Sequence, residues 1–272
     1  MNNLLLIDGH SILNRAFYGI PMLTNHEGIH TNAIYGFINI MLRAMEDEKS
    51  DHIAVAFDLK APTFRHKMYE MYKGTRKPMP AELHEQVPVI KEILASMNIP
   101  VITLEGYEAD DILGTVGKKA QSLGYNVVIL SGDRDLLQLA DEHIKIRLPK
   151  TIKGRTEIEN YYPEDVMEKY MATPSEFIDL KALMGDSSDN IPGVPGIGEK
   201  TAMSIISKYH SIENAYEHVE ELTPAKAKNS LRENYDLAKL SKVLATIETD
   251  APVEFNIEDS AIAVSYTHLT LP

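Results

Sequence analysis

Five short runs of unbroken apolar residues, with helix-like stretches between them, constrain the fold of this chain more than any other feature. The runs are Leu4–Asp8, His52–Asp58, Pro100–Leu104, Asn126–Ser131 and His143–Leu148. A short apolar run without polar alternation suits a strand buried on both faces, the pattern of parallel sheets. Segments Thr31–Glu48, Ala81–Met97, Glu108–Leu123 and Arg134–Ala140 are predicted as helices. Strand and helix in repeated alternation imply an α/β layer with right-handed crossovers. From about Tyr162 the pattern changes. Pro163, Pro174, Pro192, Pro195 and Pro224 punctuate helical pieces predicted at Ser175–Met184, Glu199–Tyr209, Ser211–Val219, Pro224–Asn234 and Tyr235–Ala245, with no strand. The expectation is an α/β domain over residues 1–161 and a small helical domain over 162–262. Residues 263–272 fit no preceding pattern and read as a truncated reading frame or a foreign tail.

Open sheets of this kind place their sites at the carboxyl ends of the strands, and here those ends are acidic. The first run closes on Asp8 and the second on Asp58. The fourth passes through Ser131 and Gly132 into Asp133 and Asp135, and the third is followed by Glu108, Asp110 and Asp111 at a helix start. Each acid alone fits a helix cap or a favourable charge in a first turn. Seven carboxylates on one sheet edge would repel and take up protons unless cations offset them. Asp186 and Asp189 could fold over the same edge, which makes nine. The chain has no cysteine, so disulfides, thiolate metal sites and a cysteine nucleophile are excluded. An all-oxygen donor set points to Mg²⁺ or Mn²⁺, and two such ions are a recurrent solution for phosphodiester hydrolysis.

The net charge of −13 argues against nucleic acid when taken alone. Its distribution argues otherwise. Six basic residues and one acid lie between Lys60 and Lys77, and five basic residues and no acid between Lys145 and Arg155. Either stretch fits a solvated loop or a DNA-backbone contact. Ile191-Pro192-Gly193-Val194-Pro195-Gly196-Ile197-Gly198-Glu199-Lys200-Thr201 leads into a helix. Such a loop lets backbone approach phosphate and offers free N–H groups at the helix start. It is not a Walker loop, because Glu199 separates Gly198 from Lys200. His10 lies near Asp8, where a structural or solvated role is expected of it. Tyr35, Phe37 and Met41 are expected in the core.

These segments together resemble the 5′ nuclease superfamily, which includes bacterial 5′→3′ exonuclease domains and flap endonucleases. The resemblance runs from about Asn2 to Glu258. Its landmarks are Leu6–Gly9, Arg15, Ala56–Asp58, Tyr72–Arg76, Gly106–Asp111, Ser131–Asp135 and Gly185–Ala202. It implies a PIN-like sheet and a helix–hairpin–helix-type motif in the helical domain. It implies a first metal site from Asp8, Asp58, Glu108, Asp110 and Asp111, and a second from Asp133, Asp135, Asp186 and Asp189. Lys73 and Arg76, on a basic arch of about residues 60–85, would contact the scissile phosphate. Arg15 and Tyr72 would contact substrate DNA. Gly193, Gly196, Gly198, Lys200 and Thr201 would hold duplex backbone, and the turn could take K⁺. The implied substrates are DNA 5′ ends, 5′ flaps and RNA primer–DNA junctions, and in the family polymerase domains can follow on the same chain. A PIN-type ribonuclease and a non-catalytic DNA-junction module are the alternatives; Gly193–Thr201 counts against the first and the nine acids against the second. The apolar run Leu4–Ile7 is too short for a signal peptide, and no stretch approaches the ~20 apolar residues of a membrane span. A soluble, cytoplasmic protein is expected.

Overall fold

A computed structural model describes residues 2–152 and 155–262. The expectation for residues 263–272 lies outside the described residues. Six strands, β1 (Asn3–Asp8), β2 (His52–Ala56), β3 (Val101–Ile102), β4 (Asn126–Leu130), β5 (Ile144–Ile152) and β6 (Arg155–Tyr161), form one sheet in the order β3-β2-β1-β4-β5-β6. The first five run parallel, and β6 returns antiparallel on β5. The strand order reverses at β1, so β1 and its neighbours β2 and β4 frame the crevice where an α/β sheet presents a site.

The helices are α1 (Gly9–Gly19), α2 (Asn32–Glu48), α3 (Phe64–Met68), α4 (Ala81–His84), α5 (Gln86–Ser96), α6 (Ala109–Ser122), α7 (Pro163–Tyr170), α8 (Pro174–Met184), α9 (Glu199–Tyr209), α10 (Ile212–Glu217), α11 (Ala225–Glu233) and α12 (Tyr235–Ala245). Leu5, Ile7, Ile53 and Val55 pack with Phe37 and Met41 of α2 on one sheet face. Leu4, Leu6, Val127 and Ile129 face the other way, into a cluster that continues through α6 to Phe177, Leu180 and Ile206. The helical part therefore shares its core with that second face. None of the described helices is long and apolar enough to cross a membrane.

Several expectations need correction. Arg155–Tyr161 is a strand, missed because a charged edge strand lacks the apolar signature of a buried one. The basic stretch from Lys145 enters β5, where Lys145 and the buried Arg147 pair with Asp47 and Glu48 at the end of α2. These two cations brace the sheet rather than face solvent. Arg134–Leu139 is a 3₁₀ turn, and the predicted helix 81–97 breaks at Glu85, whose carboxylate accepts the His30 N–H. Phe37 and Met41 are buried as expected, but Tyr35 is 54% exposed.

Candidate active site

The acids at the strand ends exist where they do for two reasons at once. Asp8 closes β1 and caps α1, accepting the Ser11 N–H through Oδ1 at 3.0 Å. Its Oδ2 accepts the Ser131 hydroxyl at 2.7 Å. Asp133 caps the 3₁₀ turn through the Asp135 N–H. Asp58 accepts the Ala109 N–H at 2.8 Å and lies 3.3 Å from His10 Nδ1. Each cap leaves further carboxylate lone pairs uncommitted.

Asp8, Asp58, Glu108, Asp110 and Asp133 line one cavity of about 560 Å³, with Lys73 and Arg76 on its wall. Electrostatics inside it are uneven. Burial, then the charges of Asp133 and Asp8, push Asp110 well above the ordinary carboxylate range. Burial and the Asp58 charge raise Asp8 to about 6. Burial also works to raise Asp58, but His10 and the Ala109 N–H outweigh it and hold this carboxyl at about 2.

A neighbouring cavity of about 440 Å³ adjoins the first through Asp133 and is lined by Asp135, Lys181 and Asp186. Burial and Asp133 raise Asp135 to about 7, although Lys181 lies 2.6 Å away. Lys181 also binds Asp186, and that contact and the Ser188 hydroxyl overcome burial to hold Asp186 at about 2. Lys181 itself is buried, on α8, five residues before Asp186.

The segment carrying Lys73 and Arg76 is pinned to the loop after α8. The Lys73 N–H donates to the Asp189 carbonyl at 2.8 Å, and Asn190 Nδ2 donates to the Met71 carbonyl at 2.6 Å. Lys73 Nζ lies 2.8 Å from Glu108 and 3.7 Å from Asp189, and Arg76 pairs with Asp189. Among the described residues, no three His, Cys, Asp or Glu side chains converge closely enough to hold one metal ion. Lys73, Arg76 and Lys181 instead hold Glu108, Asp189, Asp135 and Asp186 in ion pairs.

Three site residues do not stand where the resemblance implied. Asp111 is fully buried, and Arg65 takes both of its oxygens at 2.8 Å each, so it faces away from the cavity. Tyr72 is 3% exposed, with its hydroxyl donating toward Glu108 and Asp189. It supports the acids from below and presents no surface to a substrate. Gly193 is buried: a Cβ there would meet the Gly185 nitrogen at 2.4 Å, and its N–H donates to Ser241. It lets the loop cross itself rather than approach a ligand. Gly196, Gly198 and Lys200 are exposed, and Thr201 is half-buried in the first turn of α9. Arg15 is half-buried on α1, whose Ser11 and Asn14 line the cavity. Residues missed by sequence reasoning are Arg65, Ser131 and Lys181. Arg65 and Ser131 lie in segments the sequence singles out, but the roles of all three depend on partners elsewhere in space or across a helix end.

An acidic switch-point edge, a basic segment folded over it and a helical unit sharing the core together define an α/β sheet protein with a helical second unit packed on one sheet face. Comparison makes the class specific. Residues 3–171 match the model of the 5′-3′ exonuclease N-terminal resolvase-like domain, and residues 172–267 that of the 5′-3′ exonuclease C-terminal SAM fold. The chain belongs to the 5′-3′ exonuclease family. It is 50% identical over 254 residues to DNA polymerase I of Bacillus subtilis (strain 168), covering 93% of this chain, and 49% identical over 258 residues to DNA polymerase I of Bacillus caldotenax, covering 95%. In each case it spans 29% of the relative's length. The fold is similar to that of a T5 5′-exonuclease solved with zinc (TM-score 0.74, 24% identity, 91% of this chain and 90% of that one). It is also similar to the Rad2 catalytic core solved with DNA substrate (TM-score 0.59, 16% identity, 94% and 81%).

Proposed function

We propose that this chain hydrolyses DNA phosphodiesters as a 5′→3′ exonuclease and 5′-flap endonuclease, in primer removal and repair, within a protein that also carries polymerase domains. The proposed division is a nuclease domain over 1–161 and a DNA-gripping domain over 162–262. The observation that carries the reading is the cavity lined by Asp8, Asp110 and Asp133, none of which forms an ion pair among the described residues, beside Lys73 and Arg76. Clustered carboxylates driven above their ordinary range call for a cation, and their oxygens suit a hard divalent one. Mg²⁺ or Mn²⁺, two ions in the proposal, would be held by Asp8, Asp58, Glu108 and Asp110 on one side and by Asp133, Asp135, Asp186 and Asp189 on the other. Asp111 drops out of that set. The ions would supply Lewis acidity and charge for an in-line displacement at phosphorus.

The chain's own groups do the rest. Ser131 and the Ser11 N–H fix the Asp8 carboxylate. Arg65 neutralises Asp111, so the start of α6 stays rigid below Asp110. Lys73 and Arg76 stand at the cavity mouth, where charge on a phosphate oxygen grows in the transition state, and positive charge already in place there lowers the barrier. The exposed start of α9 offers N–H groups that no helix carbonyl can take. With Gly196, Gly198, Lys200 and Thr201 it would grip duplex backbone without reading sequence. A K⁺ ion at this turn belongs to the same proposal. RNA primer–DNA junctions are proposed as substrates alongside DNA flaps.

The test is cleavage of a 5′-flap DNA in Mg²⁺ against EDTA, with single-stranded RNA alongside. Flap cleavage abolished by EDTA supports the proposal. Cleavage of RNA alone points to a ribonuclease, and binding without cleavage to a junction module; either outcome overturns it.

A further inference from the structure

Lys226 is the first lysine of α11 and stands 26 residues beyond Lys200 in sequence. A Cβ placed on Gly196 would lie 3.1 Å from its Cε and 3.5 Å from its Nζ. The side chain thus lies along the exposed glycine turn, at a residue whose φ of +80° already favours glycine. The contact is reinforced one helical turn on, where the Ser230 hydroxyl donates to the Pro195 carbonyl at 2.5 Å. Lys226 is exposed and makes no hydrogen bond or ion pair among the described residues. Its helix neighbours differ: Lys228 and Arg232 are both committed to Glu220. At the other side of the turn, Lys200 follows Glu199 directly, so that adjacent pair brings no net charge.

We propose that Lys226 is a duplex-phosphate contact, supplying from α11 the net positive charge that the glycine turn and the start of α9 lack. The turn would then be gripped from two helices, with the Gly196 surface left bare so that a phosphate reaches the ammonium beside it. This rests on the reading of the turn as a backbone-binding element. Local sequence carries no signal of this contact, because Lys226 sits in an ordinary polar helix far from the loop it touches.

The experiment is a duplex-binding titration of the whole chain in Ca²⁺ over a series of KCl concentrations. The variants are Lys226→Ala, Lys226→Arg, Lys228→Ala and Gly198→Asp. Each phosphate contact contributes roughly 0.9 to the slope of log affinity against log salt. Lys226→Ala is expected to lower the slope by about that amount and to weaken binding several-fold at low salt. Lys226→Arg is expected to restore both, and Lys228→Ala to leave both unchanged. If Lys226→Ala keeps the parental slope while Gly198→Asp weakens binding, Lys226 is not a contact although the turn is. If Gly198→Asp also binds like the parent, the reading of the turn falls with it.

Discussion

The two adjoining halves of the acidic edge handle their charge in opposite ways. Around Asp8, Asp110 and Asp133 the fold supplies hydrogen bonds and capping N–H groups but, among the described residues, no ion pair, and Asp8 and Asp110 rise above ordinary carboxylates. Around Asp186 and Asp189 it supplies Lys181 and Arg76, with Lys73 shared between Asp189 and Glu108 of the first half, and Asp186 falls to about 2. Asp135 stands on the boundary, paired with Lys181 yet raised by burial and Asp133. Residues of one type on one sheet edge thus differ by what neighbouring elements bring to them. In the first half Asp8, Asp110 and Asp133 are left with their mutual repulsion, which a cation would offset. The second half carries its own cations, which such an ion would have to displace.

Breaking the second half should have the largest effect. Lys181→Met leaves Asp135 and Asp186 facing each other inside the protein, and removing one partner of a buried pair costs about 3–5 kcal/mol. In EDTA, urea denaturation should show a loss of that order, part of which Mg²⁺ recovers. Unchanged stability would show that Lys181 is not the counter-ion of this half.

The first half should respond with the opposite sign. Asp8 is raised in the folded protein, so the folded state binds its proton more tightly than the unfolded chain does. Stability from this group is therefore lost as pH rises from about 4 to about 6, and the loss persists above that. Asp8→Asn keeps the cap and removes the charge. In EDTA at pH 8 it should stabilise the fold by about 1–3 kcal/mol, with the gain fading as the pH approaches 4. A gain independent of pH would break the link to the carboxyl group.

A smaller effect is expected at the glycine turn. A Cβ on Gly198 meets nothing within 4 Å, and Gly198 is the N-cap of α9, where Asp is favoured. Gly198→Asp should therefore fold at least as well as the parent, yet weaken binding to unrelated duplexes about equally, by about 1 kcal/mol each. A strong preference for one sequence in a binding-site selection would contradict backbone-only recognition.

How much of this the sequence disclosed follows from where each signal resides. The buried parallel strands were legible because their apolarity is unbroken, and α9 and α12 because their amphipathic periods begin and end at clear boundaries. The edge hairpin was not legible, since β6 is rich in charged residues. The acids were open to two readings, cap or ligand, and the structure removes the conflict: Asp8 and Asp133 each cap a helix start and also line the cavity. Asp111 and Tyr72 were misread because a motif preserves residue order but says nothing of which side of a helix start each residue takes. Lys181 and Arg65 were missed because a lysine or arginine in a half-apolar helix looks like a solvated one until its partners are placed around it.

The central claim is that the acids carry the ion-dependent chemistry while the basic segment also holds substrate. The measurement that tests it most directly pairs a 5′-flap binding titration in Ca²⁺ with single-turnover cleavage in Mg²⁺, for Asp133→Asn and Arg76→Ala. Asp133→Asn should lose cleavage by roughly a thousandfold or more, about 4 kcal/mol, while binding is kept or tightened, because a negative charge facing phosphate has gone. Arg76→Ala should lose cleavage and also about 1–3 kcal/mol of binding. If Asp133→Asn cleaved like the parent, or lost binding as badly as Arg76→Ala, Asp133 would be a helix cap and nothing more, and the ion-dependent reading of the sheet edge would be contradicted.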